Sequence, residues 1–270
     1  MSAAPAAGAM QRARGQGRLG LTATGLEELY QQGCIKLRLL RRAGALPEAV
    51  VINSSGGITG GDRLMLEARL GAGAGAVLTS QAAERVYRSP GGVGEVDNRL
   101  RLGPGARAHW LPQETILFDG AGLSRRLEVE MAADARLLAA EMLVFGRAAM
   151  GEAVTRLSLR DHWRIRRDGR LIWADSLRLD LPGAGAAGRA TLAGRRAMAT
   201  LVLVAPGAEA HLDRLRDILA QASGVEAGAS AFNGLVLVRM IAENAHDLRK
   251  ALMAALEQLG GLALPRVWML

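Results

Sequence analysis

The chain has 270 residues, half of them hydrophobic, enough to bury a sizeable core in one large domain or two small ones. Positive charge exceeds negative by 8 and is almost wholly arginine, spread from Arg38 through Arg69, Arg101, Arg136 and Arg178 to Arg239 with no interleaved aromatic tract, which argues against a dedicated nucleic-acid surface. Cys34 is the only cysteine and no apolar run approaches the length of a membrane span, so the composition excludes a disulfide framework and points to a soluble, cytoplasmic protein that engages no membrane.

Residues Met1 to Gly20 are rich in Ala, Gly and Arg and lack the apolar core of a signal peptide; they read as a disordered leader, with a single domain over 21–270. The first strong signal is Asn53-Ser-Ser-Gly-Gly-Ile-Thr-Gly-Gly-Asp62, flanked by strand-like sequence at Ala49 to Ile52 and Leu64 to Leu70. Gly56, Gly57, Gly60 and Gly61 permit positive φ and close backbone approach, which predicts a sharp turn inside packed structure. A phosphate cradle fits less well. Asp62-Arg63 stands where a Walker loop needs Lys-Ser/Thr, and Met65 to Leu70 reads as strand where a dinucleotide fingerprint needs a helix.

Short strand-like segments continue to Val204. Ala76 to Ser80 follows Gly71 to Gly75; Val96, Asn98, Leu100 and Leu102 lead into Gly103-Pro-Gly105; Leu127, Val129 and Met131 alternate with charged or small residues. Leu137 to Phe145 is apolar except for Glu141 and reads as a strand buried on both faces. Asp168-Gly169 is the tight-turn pair of a hairpin from Asp161 to Leu179. The last quarter changes period. Leu212, Leu215, Ile218 and Leu219 share a helical face, two strands pair around Asn233-Gly234, and Leu248, Leu252, Leu256 and Leu259 line a second helix capped by Asn244 and ended by Gly260-Gly261. The expected architecture is mainly β, with layered or helically wound sheets of many short strands, no exact solenoid repeat, and two amphipathic α-helices packed on the sheets in the C-terminal quarter.

Candidate chemistry is sparse. His109, His162, His211 and His246 lie far apart and share no ligand spacing with one another or with Cys34, so no tight metal site is predicted. Gly-x-Ser-x-Gly is absent and Cys34 has no flanking signature, so no nucleophilic catalyst is predicted either. Carboxylates are more informative: Asp62 closes the glycine run, Glu141 interrupts an apolar strand, Glu114 and Asp119 sit among bulky apolar residues, and Asp175 follows Trp173. Buried carboxylates need partners. Structural ion pairs with arginines such as Arg63, Arg85 and Arg147 would supply them; a polar path for a divalent cation is the alternative.

Five blocks, in order, carry a resemblance: Gly56-Gly-Ile-Thr-Gly-Gly-Asp62, Thr79-Ser-Gln-Ala-Ala-Glu-Arg-Val-Tyr-Arg-Ser89 with its Arg88, Trp110 to Ala121, Glu141 to Glu152, and Leu264-Pro-Arg-Val-Trp268 with its Pro265, Arg266 and Trp268. From about Gly33 onward the chain resembles the urease accessory protein D family (UreD, UreH in some organisms), departing from it at Ser54-Ser55, where many members have Pro-Pro. The resemblance implies a non-enzymatic β scaffold that binds urease apoprotein, recruits UreF and the nickel-carrying GTPase UreG, holds no cofactor tightly, and passes nickel in transit through an internal tunnel. Asp62 and Glu141 match acidic positions of the family, and with Asp175 and Glu114 they become candidate lining groups of that path. An arginine-rich nucleic-acid-binding β protein and a nucleotide enzyme at Gly56 to Gly61 are the competing readings; they predict salt-sensitive nucleic-acid affinity and saturable nucleotide binding.

Overall fold

The computed structural model describes residues 11–40, 45–181, 192–260 and 264–269. In chain order the strands are β1 (Arg14–Thr22), β2 (Gly25–Gly33), β3 (Ile35–Leu40), β4 (Glu48–Asn53), β5 (Arg63–Leu70), β6 (Gly75–Ser80), β7 (Glu84–Val86), β8 (Gly94–Leu102), β9 (Arg107–Leu111), β10 (Thr115–Leu117), β11 (Ala121–Met131), β12 (Arg136–Phe145), β13 (Leu157–Arg167), β14 (Arg170–Leu181) and β15 (Ala197–Val204). Helix α1 (Leu212–Ala220), β16 (Val225–Phe232), β17 (Leu235–Ala242) and α2 (Ala245–Gly260) complete the fold.

The chain winds. β5, β8, β11 and β13 lie parallel in one sheet, with β1 parallel to β5 and the antiparallel strands β2 and β14 at the edges. In the second sheet β4, β6, β9 and β12 run parallel, β3 forms one edge, and β15, β17 and β16 extend the other. Each coil passes from the first sheet to the second, and β7, β10 and the end of β12 stack into a short third side. At the first corner, Gly71 to Ala74, Gly103 to Ala106 and Ala132 to Ala135 make equivalent turns. Each is closed by its own backbone bond, and each stacks on the coil before it through a bond such as Gly103 N–H to Leu70 O, 2.8 Å. Ala74, Ala106 and Ala135 are fully buried there, because only a methyl fits where coils pinch together.

Strand alternation sends one set of side chains between the sheets. Leu66, Leu100, Leu127, Trp163 and Trp110 form an apolar slab near the turn corner, each such side chain worth about 1.5–3 kcal/mol of burial. The outer face of the second sheet is covered by both helices, through Leu215, Leu219, Leu248, Leu252 and Leu256, so β12 and β15 are buried on both faces. Asn244 Oδ1 accepts from Asp247 N–H at 2.9 Å and caps α2 as expected. Asp168-Gly169 and Asn233-Gly234 both take positive φ at two successive positions, the hairpin geometry their sequence predicts.

The N-terminal boundary differs from expectation. Residues 1–10 lie outside the described residues, but Arg14 to Gly20 belong to β1, whose inward side chains are buried. The glycines that gave the segment its leader-like composition are a packing device. A side chain at Gly15 would collide with Ile35 and Cys34, and one at Gly17 would press on Ile35 and Leu66.

Candidate functional site

Midway along the strands the apolar core is interrupted by a polar layer. Arg125 on β11 and Asp161 on β13 are register partners, Glu141 on β12 faces them from the second sheet, and all three side chains are at most 8% exposed. Arg125 Nη2 lies 2.6 Å from Asp161 Oδ2 and 2.8 Å from Glu141 Oε2; Nε reaches Asp161 Oδ1 at 3.2 Å, and Nη1 donates to Thr115 Oγ1 at 3.2 Å. Trp110 Nε1 donates to Glu141 Oε1 at 2.8 Å, Trp163 is a further side-chain partner of the carboxylate, and Oε2 lies against Arg125. Burial works against the charge of Arg125, but the Asp161 and Glu141 carboxylates outweigh it and raise its pKa. For Glu141 burial dominates; Arg125 pulls the other way, Asp161 adds repulsion, and the carboxyl is pushed up to about 7.

Two cavities meet at this cluster. The larger, about 220 Å³, runs from the segment Gln81 to Arg85 beside Gly56, whose Gln81, Ala82 and Arg85 are exposed, inward past Glu84, Asn98 and Thr115 to Arg125 and Glu141. The smaller, about 10 Å³ and so room for about one water, lies on the far side, between Arg125, Glu141, Asp161, Thr200 and Asp175. Asp175 reaches the surface, where it pairs with Arg239 Nη2 at 2.6 Å. At the opposite mouth Glu84 accepts from Asn53 Nδ2 at 3.2 Å; burial raises its carboxyl to about 7 against the pull of that hydrogen bond. Polar groups thus cross the whole core, from Glu84 to Asp175.

The candidates read from the sequence divide accordingly. Glu141 sits at the centre of the layer and Asp175 at one end. Asp62 borders neither cavity: its two oxygens accept from Ala13 N–H and Thr59 N–H, both at 2.8 Å, and clamp the glycine loop to the residue that leads into β1. Glu114 points the other way, to Arg249 of α2 at 2.9 Å. The glycine loop is a packed turn between strands. Gly56, Gly57 and Gly61 have positive φ, Gly57 is pressed against the Tyr87 ring, and Gly60 against Ser89 and Gly91. No helix follows it, so the nucleotide reading gains nothing.

The remaining motif residues hold this end together. Arg88 pairs with Asp119 at 2.9 Å, and Asp119 also accepts the backbone N–H groups of Thr155 and Arg156; led by the Thr155 bond, they hold its carboxyl down at about 2. Tyr87 meets Phe118 edge to face, and Arg147, paired with Glu152, lies over Phe118. Pro265 and Arg266 lead into a turn that buries Trp268, whose Nε1 donates to Leu111 O at 3.0 Å under the Arg249 guanidinium. His109 is half-buried, its pKa lowered to about 4 by desolvation and by Arg107; His162 contacts Ser176, and Cys34 is partly buried with its thiol pushed up by burial. Among the described residues no three His, Cys, Asp or Glu side chains group to hold a metal, and no helix is long and apolar enough to cross a membrane.

Sequence reasoning missed Arg125, Asp161, Glu84, Asn98 and Thr200. A charged residue at an inward position of an alternating strand was the available signal, as with Arg125 between Leu123 and Leu127. The outer face of the first sheet carries a lattice of mixed sign, with Arg18–Glu28, Arg99–Asp97 and Arg160–Asp180 pairs, and not the one-sign groove a nucleic acid needs.

Residues 12–269 match the family model described as UreD urease accessory protein. The chain is 50% identical over 280 residues to a protein of Methylobacterium sp. (strain 4-46), with 99% of each chain covered. It is 46% identical to one of Chelativorans sp. (strain BNC1), covering 96% of this chain and 95% of the relative. To one of Dinoroseobacter shibae it is 48% identical, covering 97% and 94%. All three relatives are named urease accessory protein UreD.

Proposed function

The chain belongs to the UreD urease accessory protein family, an accessory protein and not an enzyme, and from that premise we propose that it is the scaffold that binds urease apoprotein, recruits UreF and UreG, and conducts nickel through its core in the cytoplasm. The observation that carries the conduit is the polar layer from Glu84 through Glu141 and Asp161 to Asp175, lined by two cavities that meet at Arg125 and Glu141. Oxygen ligands suit a borderline cation that must move on, since they hold it less tightly than thiolate or imidazole sets. Nickel is cargo in this reading, entering at one mouth and leaving at the other.

Scaffolding is supported by what the fold leaves open. β2 and β16 are edge strands, and Leu26, Leu29 and Phe232 on them are exposed, as are Tyr87 and Met150 at the motif-bearing end. The test is co-expression of the tagged chain with urease apoprotein, UreF and UreG, comparing wild type with the Glu141→Gln/Asp175→Asn variant. Capture of all partners at moderate salt with weakened urease activation is expected. Unchanged activation would remove the conduit, and loss of capture together with activation would make the two carboxylates structural. Recovery with nucleic acid that washes off in salt would favour the competing class.

A further inference from the structure

We infer that Arg125 is the gate of the passage: a tethered cation that occupies the Glu141 and Asp161 carboxylates at rest and swings into the larger cavity when a divalent cation takes its place. The inference rests on the conduit reading. It starts from a contradiction in that reading, because the narrowest point of a cation path is filled by a guanidinium. Among the described residues Arg125 is the only cationic side chain bordering both cavities, and its Nη2 sits between the two carboxylates that an incoming ion would use.

Three features make displacement feasible. Arg125 already reaches toward the larger cavity through Thr115 Oγ1, and about 220 Å³ of space adjoins it. Asn98, buried and bordering that space, has no side-chain hydrogen bond among the described residues and presents a carboxamide to receive the guanidinium. Glu141 Oε2 is buried against the Arg125 guanidinium, so an ion that displaces the guanidinium meets a carboxylate oxygen already facing the passage. Exchange of one cation for another also avoids the state that a dry core tolerates least, two unpaired carboxylates. A monovalent ion carries no more charge than the guanidinium it must displace and lacks its directed hydrogen bonds; a divalent ion carries twice the charge. The gate therefore selects by charge as well as closing the path.

The direct test is metal retention by the purified full-length chain. Wild type, Arg125→Met and Arg125→Met/Glu141→Gln are dialysed against nickel chloride, washed, and assayed for nickel per chain. Arg125→Met is expected to retain about one nickel more than wild type, since the two carboxylates are left without their cation. The double variant should lose that gain. A folded Arg125→Met with no more nickel than wild type, or a double variant that retains as much as the single, overturns the inference. Where Arg125→Met does not fold, Arg125→Gln carries the test, because it removes the cationic plug, keeps both carboxylates and leaves a carboxamide to hydrogen-bond them. In the reconstituted complex at limiting nickel it should activate urease several-fold faster than wild type; an equal or slower rate overturns the gate. Failure of the conduit itself shows separately, as unchanged activation in Glu141→Gln/Asp175→Asn, and does not touch the dialysis result.

Discussion

The two ends of the coil obey opposite rules. At the turn corner Leu70, Leu102 and Met131 stack in register, buried alanines fill the bends, and the slab behind them is built of Leu, Val, Ala and Trp side chains. At the other end the same strands enclose a cavity, three buried charges and the motif loops. Packing is inexpensive at the first end and specific at the second, where each polar group needs a partner from a different coil. The difference teaches that the apolar end supplies the stability against which the polar end is tolerated.

Removing one member of the charged cluster should break that balance most severely. Arg125→Ala leaves the Asp161 and Glu141 carboxylates buried without a cation, and a loss of about 3–5 kcal/mol in urea unfolding is expected; a loss below about 1 kcal/mol would show the layer to be wet. Leu127→Ala, two positions along β11 from Arg125, probes the apolar end. It should cost about 2–5 kcal/mol and leave urease activation by the folded fraction unchanged, so reduced activation per folded molecule would erase the division between the ends. The smallest effect is a pH signature. Glu84 holds its proton to about pH 7 in the fold and ionises near 4.5 when unfolded, so its burial lowers stability as pH rises from about 4.5 to 7, with the penalty constant above. Glu84→Gln should therefore melt higher than wild type at pH 8 and alike at pH 4. An equal gain at both values would mean that the carboxyl is not the cause.

Much of the fold was legible because its signals are local. The strands at Leu64 to Leu70 and Leu137 to Phe145, both Asx-Gly hairpins and the two helices follow from alternation, turn chemistry and amphipathic period, and all appear as read. β1 to β3 were not assigned, since glycine spacing in β1 and exposed polar residues in β2 erase the alternation that marks a strand. The site was less legible still. Arg125 and Asp161 are 36 residues apart and meet only because β11 and β13 share a register, a long-range fact that neither strand's composition records. Glu141 stood out because it breaks an apolar run and Asp62 because it closes the glycine run, yet one lies at the centre of the layer and the other caps a loop. A buried carboxylate announces that it has partners and leaves open whether they are backbone or charge.

The seat of Trp268 has a consequence for biosynthesis. Gln113, part of the wall of the larger cavity, donates to the carbonyl of Val267, 154 residues further along, and Leu111 waits for the Trp268 indole from the same late segment. Coils emerging from the ribosome in order can stack as they appear, but the wall beside the mouth has no closing piece until nearly the whole described chain has been translated. The nascent protein therefore spends most of its synthesis with an unsealed interior beside open strand edges. In that interval the open edges of β2 and β3 are what another strand can pair with.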